Sequence, residues 1–294
     1  MFIPQEIIFS CTTLCNLKCA HCFVNRKPIS LNIKDAQAFL TSCKTSPESK
    51  IDKIGFSGGE PFLYLDFLCD IISFSRKNDF MFDQIMTNAL WWKDEEELKT
   101  VLKKVYDAGY DGKIGVSYDN FHGQNYNKVR TFLKTVNTIF GNESITIQAV
   151  SDPTLNDEKT EKLENELNSF AEDFYADIFI LPQTFCSKDE RAWKSKKWFK
   201  EDYCEGPGNI LFIHSDGNIA PCCGFANENS PLFIGKITDS FEKVMQNAKE
   251  NKMINLCFNK GLSSIIPELT KNKELPGKTN DICTFCDFVA KKLF

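Results

Sequence analysis

The sequence predicts an α/β fold, a parallel sheet with its chemistry on one rim, followed by a small cysteine-rich unit. Short apolar runs alternate with helically spaced segments over residues 6–181, the pattern that builds parallel sheets. A polar or glycine-rich feature follows each predicted strand, on the rim where parallel α/β folds keep their active sites. Beyond about residue 200 the alternation stops and cysteines crowd together.

Strands are predicted over 6–10, 51–57, 80–87, 113–118, 144–150 and 177–181, and helices over 32–43, 64–76, 94–108, 125–140 and 156–170. The helix over 94–108 has acidic residues in its first turn and lysines later, matching its dipole. No G-x-G-x-x-G follows the first strand, which removes the usual dinucleotide-binding sheet. An open sheet and a barrel, complete or partial, both stay open.

At 294 residues the chain fits one large domain, or one domain with a small appendage. Its net charge of −5 argues against nucleic-acid or anionic-membrane partners, which call for a basic patch. Its apolar runs are strand-sized, far short of a membrane span, and no leader precedes them, so the expected location is cytoplasmic. In a reducing cytoplasm, 13 cysteines read as metal ligands before disulfides. Residues 188–200, with Trp193 and Trp198, form a basic aromatic stretch, read as a linker helix or a surface for an acidic peptide.

Cys15-Asn16-Leu17-Lys18-Cys19-Ala20-His21-Cys22 follows the first strand with the spacing C-x3-C-x2-C. Three thiolates can hold three irons of a [4Fe–4S] cube and leave the fourth open to a second molecule. A structural zinc site would want four closed ligands. Gly58-Gly59-Glu60-Pro61 follows the second strand. Paired glycines let backbone approach a ligand, and Pro61 starts the next segment with a fixed φ. An ordinary βα turn is the plain alternative.

The cysteine spacing, with the glycine motif one βα unit later, resembles the radical S-adenosylmethionine (SAM) superfamily. The resemblance implies a partial (β/α)6 barrel over 1–185, a linker over 186–203 and an auxiliary-cluster domain over 204–294. It implies that Cys15, Cys19 and Cys22 hold a SAM-binding [4Fe–4S] cluster. Gly58, Gly59, Glu60 and Pro61 would bind the amino-acid end of SAM, with Glu60 meeting its ammonium. Asn88, Ser117 and Gln148 would reach its ribose, adenine or carboxylate, with loop capping as the alternative for each. Asp119 would face ligand or substrate. His122 reads as a loop-packing residue that could carry a proton, and His21 stands where relatives carry an aromatic ring. Cys11, Cys43 and Cys69 read as buried small hydrophobes.

In the tail, residues 209–214 and 218–220 flank Ser215-Asp216-Gly217, a hairpin signal. Cys204 precedes it, Cys222 follows it, and Cys283 and Cys286 form a later pair. This arrangement resembles a shortened SPASM/Twitch extension. It implies one auxiliary [4Fe–4S] cluster on Cys204, Cys222, Cys283 and Cys286, with zinc on the same four as the alternative. Cys257 reads as core, or as a replacement for one of them. Neighbours on an extended segment point opposite ways, so Cys223 is expected to face away from that cluster, toward the barrel mouth. A spare ligand is its bland reading.

Cys-Cys-Gly at 222–224 resembles ribosomal-peptide epimerases of the YydG type. The resemblance implies L-to-D epimerisation of a precursor peptide, with Cys223 returning a hydrogen atom, and an electron donor such as flavodoxin or ferredoxin. The alternatives are a maturase forming a thioether or carbon–carbon crosslink, and a dehydrogenating enzyme.

Overall fold

The computed structural model describes residues 2–24, 27–200, 204 and 209–293. Six parallel strands lie side by side in chain order: β1 (Glu6–Ser10), β2 (Lys53–Ser57), β3 (Met81–Thr87), β4 (Lys113–Ser117), β5 (Ile145–Val150) and β6 (Asp177–Leu181). Between them run α1 (Ile33–Thr45), α2 (Leu65–Lys77), α3 (Glu95–Asp107), α4 (Tyr126–Phe140) and α5 (Asp157–Phe174). This is the expected partial barrel: β6 ends the sheet and does not close onto β1.

The helices begin where side chains can cap them. Asn32, Asp94, Asn125 and Asn156 each accept a hydrogen bond from a first-turn amide. Apolar residues then recur on one face of each helix. Phe39, Phe67, Phe132 and Phe170 are buried from α1, α2, α4 and α5, each burial contributing about 1.5–3 kcal/mol. Along the strands the period is two. Ile7, Phe9, Ile54 and Phe56 are buried in the main core, while Glu6, Ser10, Gly55 and Ser57 line a central cavity.

The cysteine-rich region does not merely follow the barrel. Its first strand, β7 (Ile210–Ile213), pairs parallel with β1, and β8 (Asn218–Ala220) and β9 (Gly235–Lys236) continue the same sheet antiparallel. The β7–β8 turn is the expected hairpin, with Gly217 at φ +84° and the Asn218 amide bonded to Asp216 Oδ1 at 3.0 Å. Pairing with β7 covers the edge that β1 would otherwise expose.

The stretch 188–200 differs from expectation. Only Glu190–Trp193 is helical, as one short 3₁₀ turn. Trp193 and Trp198 pack edge-on against Phe288 and Phe285 of the C-terminal helix, Ile282–Leu293. Burial of these rings fastens the stretch to the cysteine-rich unit, so it is no free linker helix. No helix among the described residues is long and apolar enough to cross a membrane.

Candidate active site

A cavity of about 680 Å³ opens at the carboxyl ends of the strands, and its wall includes Cys15, Cys19 and Cys22. The loop that carries them is tied at its base as a hairpin. Thr12 bridges Ser30, the Thr13 amide donates to the Ile29 carbonyl at 2.9 Å, and the Thr13 hydroxyl donates to the Lys27 carbonyl at 2.6 Å.

Gly58 and Gly59 brace this loop from below. The Gly59 amide donates to the Thr12 carbonyl and the Glu60 amide to the Leu14 carbonyl, both at 2.7 Å. A Cβ at Gly58, whose φ is +129°, would lie 2.6 Å from the Thr12 oxygen, and one at Gly59 would overlap the Leu14 carbonyl. The glycines therefore serve close backbone packing as well as lining the cavity.

Glu60 differs from the ligand contact expected of it. It is fully buried and absent from the cavity wall among the described residues. Oε1 accepts from the Phe62 amide at 3.2 Å and the Thr87 hydroxyl at 2.9 Å, and Oε2 from the Asn88 amide at 2.8 Å. Burial pushes its carboxyl up to about 7 against these three donors. It holds the end of β3 to the glycine turn. Pro61 starts a 3₁₀ turn and is likewise buried.

Asn88 lines the cavity, and its Nδ2 donates to Asn16 Oδ1 at 2.9 Å and lies 3.7 Å from the Cys15 sulfur. Ser117 and Gln148 also line it. Asp119 does not. Its Oδ1 accepts from the Phe121 and His122 amides and stands 2.7 Å from His122 Nδ1, and its Oδ2 accepts from the Val150 amide. Burial pushes this carboxyl up, but the His122 ring and the Val150 amide hold it below its ordinary value. The group on the wall is His122 itself, oriented by Asp119. His21 packs edge-on against His122 and Phe121, with centroids 4.9 and 5.1 Å away.

Sequence reasoning missed His214 and Glu6, which also line the cavity. His214 is 8% exposed, and among the described residues its Nε2 has no side-chain hydrogen-bond partner. Glu6 begins β1 facing inward, and burial, then Asp83, push its carboxyl up to about 7. The period-two alternation of β1 and β7 was the signal that could have placed both inside.

The tail brings thiols together on a second level. Cys286 is buried and Cys222 half-buried. The contact with Cys257 and then burial push Cys286 well above its ordinary value, and burial with neighbouring thiols does the same to Cys222. Burial pushes Cys204 and Cys283 up to about 12. Cys257 joins them, with its sulfur 3.8 Å from that of Cys286 and its carbonyl accepting from the Cys204 amide. A Cβ at Gly224 would lie 3.2 Å from the Cys283 sulfur, a tight contact. Cys223 instead lines the cavity, as Cys222 does not. Burial pushes its thiol up to about 11, which keeps it S–H at neutral pH. Cys11 and Cys43 are buried in the core, and Cys69 packs against it.

The donors on both levels are thiols, soft ligands that iron–sulfur clusters and zinc both take.

Comparison with known proteins bears on the tail first. The iron–sulfur cluster-binding SPASM domain matches residues 204–287. Across 92% of its length the chain is 21% identical to the putative peptide biosynthesis protein YydG of Bacillus subtilis, covering 88% of that protein. The chain is a radical SAM protein with a SPASM domain. Like others of its family, it uses SAM on a [4Fe–4S] cluster together with auxiliary iron–sulfur. The antilisterial bacteriocin subtilosin biosynthesis protein AlbA of the same bacterium is 26% identical over 47% of this radical SAM chain and 30% of its own. Coproporphyrinogen III oxidase (HemN) from Escherichia coli superposes with a TM-score of 0.42 at 13% identity, over 61% of this chain and 44% of that one.

Proposed function

We propose that this radical SAM protein epimerises a residue of a ribosomally made peptide from L to D, with Cys223 as the hydrogen donor. Cys15, Cys19 and Cys22 hold the SAM-binding cluster. Cys204, Cys222, Cys283 and Cys286 hold one auxiliary cluster. Gly58, Gly59, Asn88, Ser117 and Gln148 face SAM, and Glu60, Pro61 and Asp119 position that wall from behind. When bound, the cluster and SAM supply a 5′-deoxyadenosyl radical able to take a hydrogen atom from carbon. The names of the relatives YydG and AlbA, a peptide biosynthesis protein and a bacteriocin biosynthesis protein, support a peptide as substrate.

The observation that carries the reading is the divergence of two neighbouring cysteines. Cys222 turns to the buried thiols, and Cys223 turns to the cavity shared with Cys15, Cys19 and Cys22. A substrate carbon radical in that cavity can take the hydrogen of the Cys223 S–H, forming C–H and leaving a thiyl. One electron and one proton restore the thiol, the electron coming from a reduced iron–sulfur centre fed by a flavodoxin- or ferredoxin-type donor.

The test is to incubate reduced, reconstituted protein in heavy water with SAM and a short peptide encoded beside its gene. Epimerisation adds one deuterium at an α-carbon, because the thiol exchanges with solvent. Crosslinking or desaturation would instead remove two hydrogens. Cys223→Ala is expected to keep SAM cleavage and lose D-residue formation. An unchanged D-residue yield from that variant would overturn the donor assignment.

A further inference from the structure

β6 ends the sheet, and among the described residues nothing pairs with its outer edge. The Leu181 carbonyl accepts from the Ser151 amide next to β5. Backbone groups alternate in direction along a strand. Asp177, Phe179 and Leu181 therefore bond toward β5, and Ile178 and Ile180 present their N–H and C=O to the free edge. The strand is also apolar and open to solvent: Phe179 is 51% exposed, Ile180 60% and Leu181 44%. Proteins commonly blunt such an edge with lysine, proline or a bulge. Here its sole charge, Asp177, lies at the start and is paired with Lys113.

The edge runs into the cavity, because Leu181 is part of the cavity wall. That wall carries the carboxyl groups of Glu6, Asp83, Asp216 and Glu228 and, among the described residues, no lysine or arginine. A chain entering from β6 meets an apolar ledge and these four carboxyl groups, although burial shifts Glu6 and Glu228 toward the neutral form.

We propose that the free edge of β6 receives the peptide substrate as an added strand, an extended apolar segment bearing lysine or arginine, whose continuation enters the cavity. This rests on the peptide reading above. Main-chain bonds to Ile178 and Ile180 would give affinity, and alternate side chains against Phe179 and Leu181 would give selectivity.

The experiment measures binding, not turnover. Fluorescein-labelled peptides alternating valine with lysine, and valine with glutamate, are titrated with the cluster-loaded protein by anisotropy. Ile180→Pro removes an outward N–H while leaving the β5 ladder, a position where strands tolerate proline. It is expected to weaken the valine–lysine peptide about tenfold or more, with peptide-free SAM cleavage unchanged as evidence of folding. Ile180→Thr, which keeps the N–H, is expected to lose less. With wild-type protein, N-methylation of one alternate set of peptide amides is expected to abolish binding, and methylation of the other set to spare it.

Equal binding by Ile180→Pro and wild type, or indifference to which amides are methylated, overturns the edge seat. Equal binding of the glutamate peptide overturns the charge assignment. A wild-type dimer that Ile180→Pro splits, without peptide binding, would give the edge to a second copy and likewise overturn it. Because no D-residue need form, these outcomes are separate from failure of the epimerase reading.

Discussion

Glu60 ties the end of β3 to the glycine turn through three accepted hydrogen bonds. Its ionisation gives that tie a pH dependence. The unfolded chain ionises Glu60 near the ordinary 4.5 and the folded chain near 7. Between those values folding takes up a proton, so stability falls as pH rises through the window and levels off above it. Below 4.5 both states are protonated and this contribution is intact. The fall is on the order of 3–4 kcal/mol. Glu60→Gln cannot ionise, and its amide would face a donor at a cost of about 1–3 kcal/mol. Urea unfolding should show wild type ahead near pH 5 and the gap narrowing toward pH 8. A gap constant over that range would mean that Glu60 is ionised throughout. The motif containing Glu60 was legible in the sequence. The direction of its carboxylate was not, because that depends on where the Thr87 and Asn88 donors arrive from another strand. For the same reason Asp119 read as facing ligand, whereas it holds His122, which lines the cavity.

The glycine turn and the cysteine loop act as one element. A Cβ at Gly59 would overlap the Leu14 carbonyl one residue before Cys15, so Gly59→Ala must push the loop outward. We expect reconstituted Gly59→Ala to lose the iron of the first cluster while its far-ultraviolet circular dichroism stays that of wild type. Gly123→Ala is the contrast. Its φ is +61° but no atom lies within 4 Å of the added carbon, so it should cost about 1 kcal/mol of stability and no iron. At this scale the sequence was informative wherever a pattern is local. Helical spacing, and the Ser215-Asp216-Gly217 turn, marked elements that the structure contains. It was silent where pairing is long-range. Nothing local in Ile210–Ile213 says that it joins Glu6–Phe9 some two hundred residues earlier. Cys257 read as core or as a substitute ligand, and it is buried in the core beside Cys286, a long-range contact that local spacing does not specify.

Across the whole molecule, β1 is shared: β2 on one side belongs to the barrel, and β7 on the other leads to the thiol-rich unit. The Ser215 hydroxyl, bonded to the Ser10 carbonyl at 2.7 Å, latches the hairpin to the end of β1. The wall bearing Cys223 is thus registered by the sheet to the wall bearing Cys15, Cys19 and Cys22, and on the proposed reading Cys222 ties it to the auxiliary cluster. Damage to the two iron sites should therefore separate two activities. Cys15→Ala should abolish SAM cleavage. Cys283→Ala should halve the iron of the loaded protein, keep SAM cleavage, and reduce D-residue formation because the Cys223 wall loses its brace. Cys257 and Cys286 make the finer test, since sulfurs 3.8 Å apart are too close to hold two corners of one cube without moving. Cys286 sits three residues after Cys283 on one helix, on the same face, and the pair can serve a cluster together. Cys286→Ala should accordingly lose the auxiliary iron and Cys257→Ala retain it, as read by iron and sulfide assay. The reverse result would make Cys257 the ligand and leave Cys286 to pack behind it.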